Sequence, residues 1–344
     1  MIPDSTGRAA LPVAALPVLL GLLLALLLPA GAGARAGERL EVDALEYPWS
    51  AVGRLNAGGQ AHCSGVLVGE RTVLTAAHCL YNPRGHRRWL VSELHFVAGY
   101  QRGVFPLHSP VRAAVAADGY IAADHPEPVA ESADWAVLEL ELPLGRQAGW
   151  LGIEPLTAGT EARMHHQHVP VVLAGYRADR SQIITIDHRC ELLGFFPDSR
   201  VVAHSCNALH GDSGGPLLSF ESGEARVIGV HAITVTTAET KAGETKAGPG
   251  RKIGGAVAST VLSDAGSWPR AAAAVAAAGL VLPSAGRPPE PGGPATAVPA
   301  TTVAALLRLS DAGPIEAFQR SHGLAATGSA SVALLAVLLA NSRP

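Results

Sequence analysis

Ser213 lies in Gly211-Asp-Ser213-Gly-Gly-Pro216, where glycines free the backbone to aim successive N–H groups at one spot. A serine hydroxyl attacks a carbonyl only when a base accepts its proton. His78, in Leu74-Thr-Ala-Ala-His-Cys79, offers that base. Asp134, in Ala133-Asp-Trp-Ala-Val-Leu-Glu-Leu140, is an acid entering an otherwise apolar strand. A buried carboxylate without a partner is costly, and an imidazole N–H would satisfy it. Asp124 is the rival acid, but its Asp-His-Pro-Glu-Pro loop has no apolar strand behind it. Nucleophile, base and orienting acid together specify acyl transfer, with the backbone N–H groups of Gly211 and Ser213 as the oxyanion hole. This chemistry needs neither metal nor cofactor. The His165-His-Gln-His168 cluster has no Cys or carboxylate at ligand spacing and reads as a solvated turn.

Short apolar runs must carry these residues. Gly65–Val68, Leu94–Val97, Trp135–Leu138, Val169–Leu173, Gln182–Ile186 and Val227–Val230 are separated by Gly, Pro, Asn and Asp. Many short β-type runs at this spacing predict an all-β sandwich or barrel rather than alternating βαβ units. One helix is expected near residues 267–279, with Ser267 as cap and Gly279 as stop. The tandem Glu239-Thr-Lys-Ala-Gly243 and Glu244-Thr-Lys-Ala-Gly248 reads as a surface loop. Residues 283–300 are rich in Pro, Gly and Ala and read as an extended linker.

The ends are of a different kind. Arg8, an apolar run from Leu11 to Leu28 and the small residues Ala30–Ala36 form the three parts of a secretory signal. Cleavage is expected after Ala34 or Ala36, giving a signal peptide over 1–36. A membrane anchor is the alternative, but Pro12 and Pro17 interrupt the run and Pro29 ends it. No membrane span is expected once the signal is gone, since Ser331–Ala340 is too short to cross a bilayer. Lys and Arg number 26 against 29 Asp and Glu, a net charge of −3, so there is no basic excess to attract nucleic acid. Export permits disulfides, and four cysteines allow three connectivities.

The His, Asp, Ser order with these three local words, over Tyr47–Leu282, resembles the trypsin/chymotrypsin-like serine peptidases. The resemblance implies two antiparallel β-barrels with a C-terminal helix, spanning a domain over 37–282, and a protein or peptide substrate. It puts His78, Asp134 and Ser213 on the catalytic positions, and implies the bridges Cys63–Cys79 beside the base and Cys190–Cys206 ahead of the nucleophile. The chain departs from trypsin at Asn207, six residues before the nucleophile, where trypsin has an acid for Lys or Arg. No Ile-Val-Gly-Gly word precedes Tyr47, so activation by a freed amino terminus pairing with Asp212 is not expected. The Cys206–Ser213 spacing, Val227-Ile-Gly-Val-His231 and Gly254-Gly-Ala-Val257 look more like the bacterial V8-type glutamyl endopeptidases. There the histidine matching His231 helps bind a substrate glutamate. A histidine packed in a pocket wall without a charge role is the competing reading of His231.

In the tail, Ile315, Phe318 and His322 have helical spacing, Gly323 stops that helix, and another follows. Ala317-Phe-Gln-Arg320, Gly323-Leu324 and Thr327-Gly328 resemble the second half of the peptidoglycan-binding three-helix module. The Asp-Gly and Phe-Gly words of its first half are missing, so residues 301–344 are a partial, small helical module; a helical hairpin packed on the peptidase is the alternative. The expectation is a secreted or periplasmic bacterial serine endopeptidase with peptidoglycan as a candidate partner. The rival functions are a catalytically inactive trypsin-fold binding protein and a hydrolase of cell-wall peptides.

Overall fold

The computed structural model describes residues 39–82, 84–117, 119–120, 130–237, 251–258 and 285–341. The leader, the tandem repeat at 239–248 and the helix expected near 267–279 lie outside the described residues. The architecture is mostly β, as the spacing of apolar runs predicts. Six antiparallel strands close a barrel in the order Val52–Ala57, Ala61–Leu67, Thr72–Thr75, Ala136–Leu140, Leu107–Ala116 and Leu94–Ala98. Closure leaves no unpaired strand edge. The remaining strands form a nine-stranded sheet that includes Val171–Gly175, Thr185–Cys190, Val201–His204, Pro216–Ser219, Arg226–Thr237 and Arg251–Ala258. Its one parallel pairing among the described residues joins Gly152–Ile153 to Arg226–Val227.

Register delivers the functional side chains. Thr72–Thr75 pairs with Ala136–Leu140 so that Thr75 faces Ala136. A tight 3-10 turn, Ala77–Leu80, follows the first of these strands, while Asp134 precedes the second. His78 and Asp134 therefore emerge side by side from neighbouring strand ends. Val73, Leu74, Val137 and Leu138, all fully buried beneath, anchor that edge in the barrel core.

Two expectations from the sequence gain detail. The His165–His168 cluster is exposed, as a solvated turn would be, but its first two residues end a helix. Ala158–His166 is a helix capped by the Thr157 side chain, which accepts from Thr160 N–H. His165 Nδ1 lies 2.7 Å from Leu192 O and His168 Nδ1 lies 3.0 Å from Glu191 Oε2. The described part of the Pro-rich segment, 285–299, runs along the body rather than through solvent. Trp150 and Arg287 exchange backbone hydrogen bonds of 2.8 Å, Glu290 N–H donates to Arg146 O, and Thr296 bonds both Leu45 and Tyr47. Proline rigidity suits a strap as well as a spacer, and composition does not distinguish the two.

The tail forms three helices, Ala300–Leu309, Ile315–Ser321 and Val332–Asn341, with Gly323 at φ +69° beyond the second. Val303, Leu306, Phe318, Leu334, Leu335 and Leu338 belong to the same hydrophobic core as the barrel. Trp49 Nε1–H donates to Thr302 Oγ1 over 2.9 Å. The Glu46 carboxylate accepts the Thr301 N–H at the start of the first helix, where an anion offsets orphan N–H groups and the helix dipole. No helix among the described residues is long and apolar enough to cross a membrane.

Candidate active site

The buried Asp134, 1% exposed, holds His78 twice. Its Oδ1 accepts the His78 backbone N–H over 2.8 Å, and its Oδ2 lies 2.6 Å from His78 Nδ1. The imidazole keeps a third of its side chain open to solvent. Burial alone would push the His78 pKa down, but the charge of Asp134 and its hydrogen bond outweigh burial and raise it above the ordinary 6.5. Asp124, the rival acid, lies outside the described residues. The Cys63–Cys79 disulfide ties the turn carrying His78 to the neighbouring Ala61–Leu67 strand, at a Cα separation of 6.0 Å. Cys190 and Cys206 are joined at 4.7 Å, upstream of Ser213.

Ser213 and His78 line one cavity of about 510 Å³, together with His62, Tyr81, Trp89 and Gly211. Ser213 Oγ and His78 Nε2 form no hydrogen bond with each other among the described residues; such bonds often tighten only when substrate binds. The turn beneath the cavity has a fixed hydrogen-bond polarity. The carbonyls of His210, Gly211 and Ser213 are each held, by Ala178 N–H (2.6 Å), Ser64 Oγ–H (2.7 Å) and Ser64 N–H (2.8 Å). The N–H groups of Asp212, Gly214 and Gly215 donate to Leu209, His231 and Asp212 carbonyls. The N–H groups of Gly211 and Ser213 are left without an acceptor among the described residues. Gly211 at φ +91° and Gly214 at φ +78° make this turn possible. A Cβ at Gly211 would lie 2.3 Å from Tyr176 O, and one at Gly214 2.1 Å from Thr75 Oγ1.

Asp212 points away from the cavity into the protein. Arg39 Nη1–H donates to its Oδ2 over 2.7 Å, and both side chains are almost fully buried. Burial raises the Asp212 carboxyl against the opposing pull of Arg39, and burial lowers the Arg39 guanidinium. Sequence reasoning missed Arg39 and Ser64. Ser64 stands between a cysteine and a glycine, which mark a constrained strand, whereas nothing local marks Arg39.

His231 is 2% exposed and is absent from the cavity wall. Its Nδ1 lies 3.1 Å from His204 Nε2, and its Nε2 lies 3.4 Å from Thr234 Oγ1. Burial lowers His204 to about 4 and His231 well below 6.5, with each other's neighbourhood adding to the effect for His231. Both rings are neutral at pH 7. Asn207 N–H donates to Asp187 Oδ2, and its carbonyl accepts from Arg39 and Arg177.

Comparison with known proteins follows the same lines. The family model described as Trypsin matches residues 38–249. Kallikrein-7 of Homo sapiens is 45% identical over 56 residues, which make up 14% of this chain and 21% of kallikrein-7. The chain thus spans about a fifth of the length of the curated relative it matches. A solved structure of a Glu endopeptidase in complex with MPD has a TM-score of 0.50 and 19% identity. That likeness covers 69% of this chain and 96% of the other, and bears on the fold alone.

Proposed function

The chain belongs to the trypsin family, and we propose that it is an exported serine endopeptidase whose acyl transfer runs on Ser213, His78 and Asp134. One observation carries the reading. Gly211 and Ser213, on a carbonyl-pinned turn, line the cavity that also holds a carboxylate-bound imidazole, and their N–H groups have no acceptor among the described residues. In folded proteins nearly all such groups are paired, so an open pair of donors beside a hydroxyl suits an oxyanion.

His78 takes the proton of Ser213 as its oxygen attacks the substrate carbonyl. Asp134 keeps the proton of His78 on Nδ1, so that Nε2 is free to accept. Charge developing on the carbonyl oxygen falls on the N–H groups of Gly211 and Ser213. His78 then gives its proton to the departing amine, and water, activated by the same base, releases the acyl group.

Asn207, in place of an acid, offers nothing to pair with Lys or Arg. We place the preference before the cut at Glu, as in the V8-type branch, with His231 Nε2, outside the cavity wall and 3.4 Å from Thr234 Oγ1, having to turn to the glutamate when it binds. Export follows from residues 1–36, which have signal-peptide form. For residues 301–344, the shared core and the Trp49–Thr302 bond favour a role within the molecule. Wall binding rests on the sequence words of the module.

Labelling by a fluorophosphonate tests the central reading. Wild-type protein should label and Ser213→Ala should not; equal labelling of the two, or none of the wild type, would sink it. A peptide library reads the residue before the cut, and an unchanged profile in His231→Ala removes the glutamate proposal. Pull-down on isolated peptidoglycan, with Glu46→Ala to loosen the tail, separates an internal role from a wall-binding one.

A further inference from the structure

His95 and His108 stand 13 residues apart in the sequence, with no ligand motif around either. The barrel brings them together. Leu94–Ala98 pairs with Leu107–Ala116 so that His95 faces Pro110 and Val97 faces His108. Facing residues share one side of a sheet, and so do alternate residues along a strand. His95, His108 and Pro110 therefore point outward, opposite the buried Leu94, Phe96, Leu107 and Ser109. His95 Nε2 lies 3.1 Å from His108 Nδ1. The two rings stack with centroids 5.2 Å apart and 26° between their planes. Phe105, edge-on to His108 at 5.6 Å, backs the pair.

Glu141 stands on the same outer face, one strand further round. Leu140 pairs with Val111, both buried inward, and the Glu141 N–H donates to Pro110 O over 3.1 Å. The neighbouring outward acid, Glu139, is already held by Arg112 over 2.9 Å. Glu141 is exposed, and its carboxylate has no hydrogen-bond partner among the described residues. Burial and then His108 lower the His95 pKa, and the charge of Glu141 pulls against them. Two strand spacings, about 10 Å, separate the Glu141 backbone from that of His95. An imidazole arm and a carboxylate arm can close such a gap on one ion from its two sides.

Two imidazole nitrogens at this separation share either one proton or one cation. Zinc binds imidazole nitrogen at about 2.0–2.1 Å, so nitrogens 3.1 Å apart subtend about 100° at the metal. That angle lies between the right angle of tetragonal sites and the tetrahedral angle. Two imidazoles with a carboxylate suit Zn²⁺, Cu²⁺ or Ni²⁺, whereas Ca²⁺ and Mg²⁺ demand oxygen. We infer that His95 and His108, with Glu141 as third ligand, form a surface site for one zinc-type dication. The ion staples Leu94–Ala98 to Leu107–Ala116 on the outside of the barrel. None of the three ligands lines the cavity that holds Ser213 and His78, so the site stands independently of the peptidase reading.

The test uses the whole processed protein, untagged and stripped with EDTA, with Zn²⁺ as the probe. Zn²⁺ should bind with micromolar half-saturation in titration calorimetry and raise Tm, because an ion held only by the fold stabilises it by mass action. Loss of even an outer partner of a metal ligand costs about 10–100-fold in affinity elsewhere. His95→Gln and His108→Gln should therefore each weaken binding at least about tenfold, and Glu141→Gln should weaken it less. Ca²⁺ and Mg²⁺ should leave Tm unmoved. In the wild type alone, Zn²⁺ should shield His95 and His108 from diethyl pyrocarbonate, read by mass spectrometry, which decides the matter even where a variant fails to fold. Half-saturation only at millimolar Zn²⁺, an adventitious ion only, would overturn the inference. So would undiminished binding in both histidine variants, or shielding of other histidines while His95 and His108 stay reactive.

Discussion

Replacing Asp134 by Asn changes one buried atom and reverses the tautomer of the proposed base. Both carboxylate oxygens accept in the wild type, Oδ1 from the His78 backbone N–H and Oδ2 from Nδ1. An asparagine can accept on one side only. If its oxygen faces the backbone N–H, its amide group donates to Nδ1, and the ring proton must move to Nε2. If it is flipped, two N–H groups confront each other in a site with 1% exposure, at the cost of a buried unmet donor. The first orientation therefore prevails, and Nε2 can no longer accept from Ser213. The expected loss is about 10⁴ in kcat, or about 5.5 kcal/mol of barrier.

The pH profile gives the same prediction a second reading. Burial pulls His78 down and Asp134 pulls it up by more, so the acid limb of kcat/KM should lie above 6.5 in the wild type. In Asp134→Asn only the downward influence survives, and the limb of the residual activity should move below 6.5. The stability sign is fixed too. A histidine raised by folding stabilises the fold below its unfolded value and loses that contribution as pH rises through its folded value. Asp134→Asn should thus lower Tm more near about pH 5 than near about pH 9. Steady-state kinetics and fluorophosphonate inactivation rates across pH supply the measurements. Activity within tenfold of wild type, with an unmoved acid limb, would refute Asp134 as the orienting acid and turn attention to Asp124.

Burial lowers His188 and His204 to about 4, so the unfolded chain binds protons that the fold refuses as pH falls from 6.5 towards 4. Each histidine should remove about 3 kcal/mol of stability across that window; urea unfolding should show it, His188→Gln should flatten the slope, and a pH-independent midpoint would contradict it. Opening the Cys63–Cys79 bridge with paired serines frees a loop of 16 residues' separation and should cost about 3 kcal/mol in chemical denaturation. Unchanged stability would mean that the turn bearing His78 is held by packing instead. Glu46→Ala removes the carboxylate at the start of the Ala300–Leu309 helix and should cost about 1–2 kcal/mol. A Tm equal to wild type would detach the tail from the stability of the body.

What could be read from the residues was local. Ser213 among glycines, His78 behind an apolar run and Asp134 ahead of one each lie within a few residues of the feature that marks them. The spacing of short apolar runs then pointed to a sandwich or barrel, and the family resemblance to barrels, because a short run between turn residues needs no partner to be visible. What could not be read is carried by pairs far apart in the chain. Arg39 meets Asp212 across 173 residues, and Ser64 meets Gly211 across 147. In sequence Arg39 is one charge beside a leader, with no period or motif around it. The tail shows the same limit differently: its helical spacing was legible, but a helix face names no partner. Glu46 and Trp49 meet Thr301 and Thr302 only where the strap at 285–299 lays the first tail helix against the body. Residues that do chemistry advertise it by type and neighbourhood, whereas residues that position them act through burial, which only the folded chain defines. A site such as this is therefore half visible in advance. The hydroxyl, imidazole and carboxylate could be named from the sequence, and the buried guanidinium that meets Asp212 behind them could not.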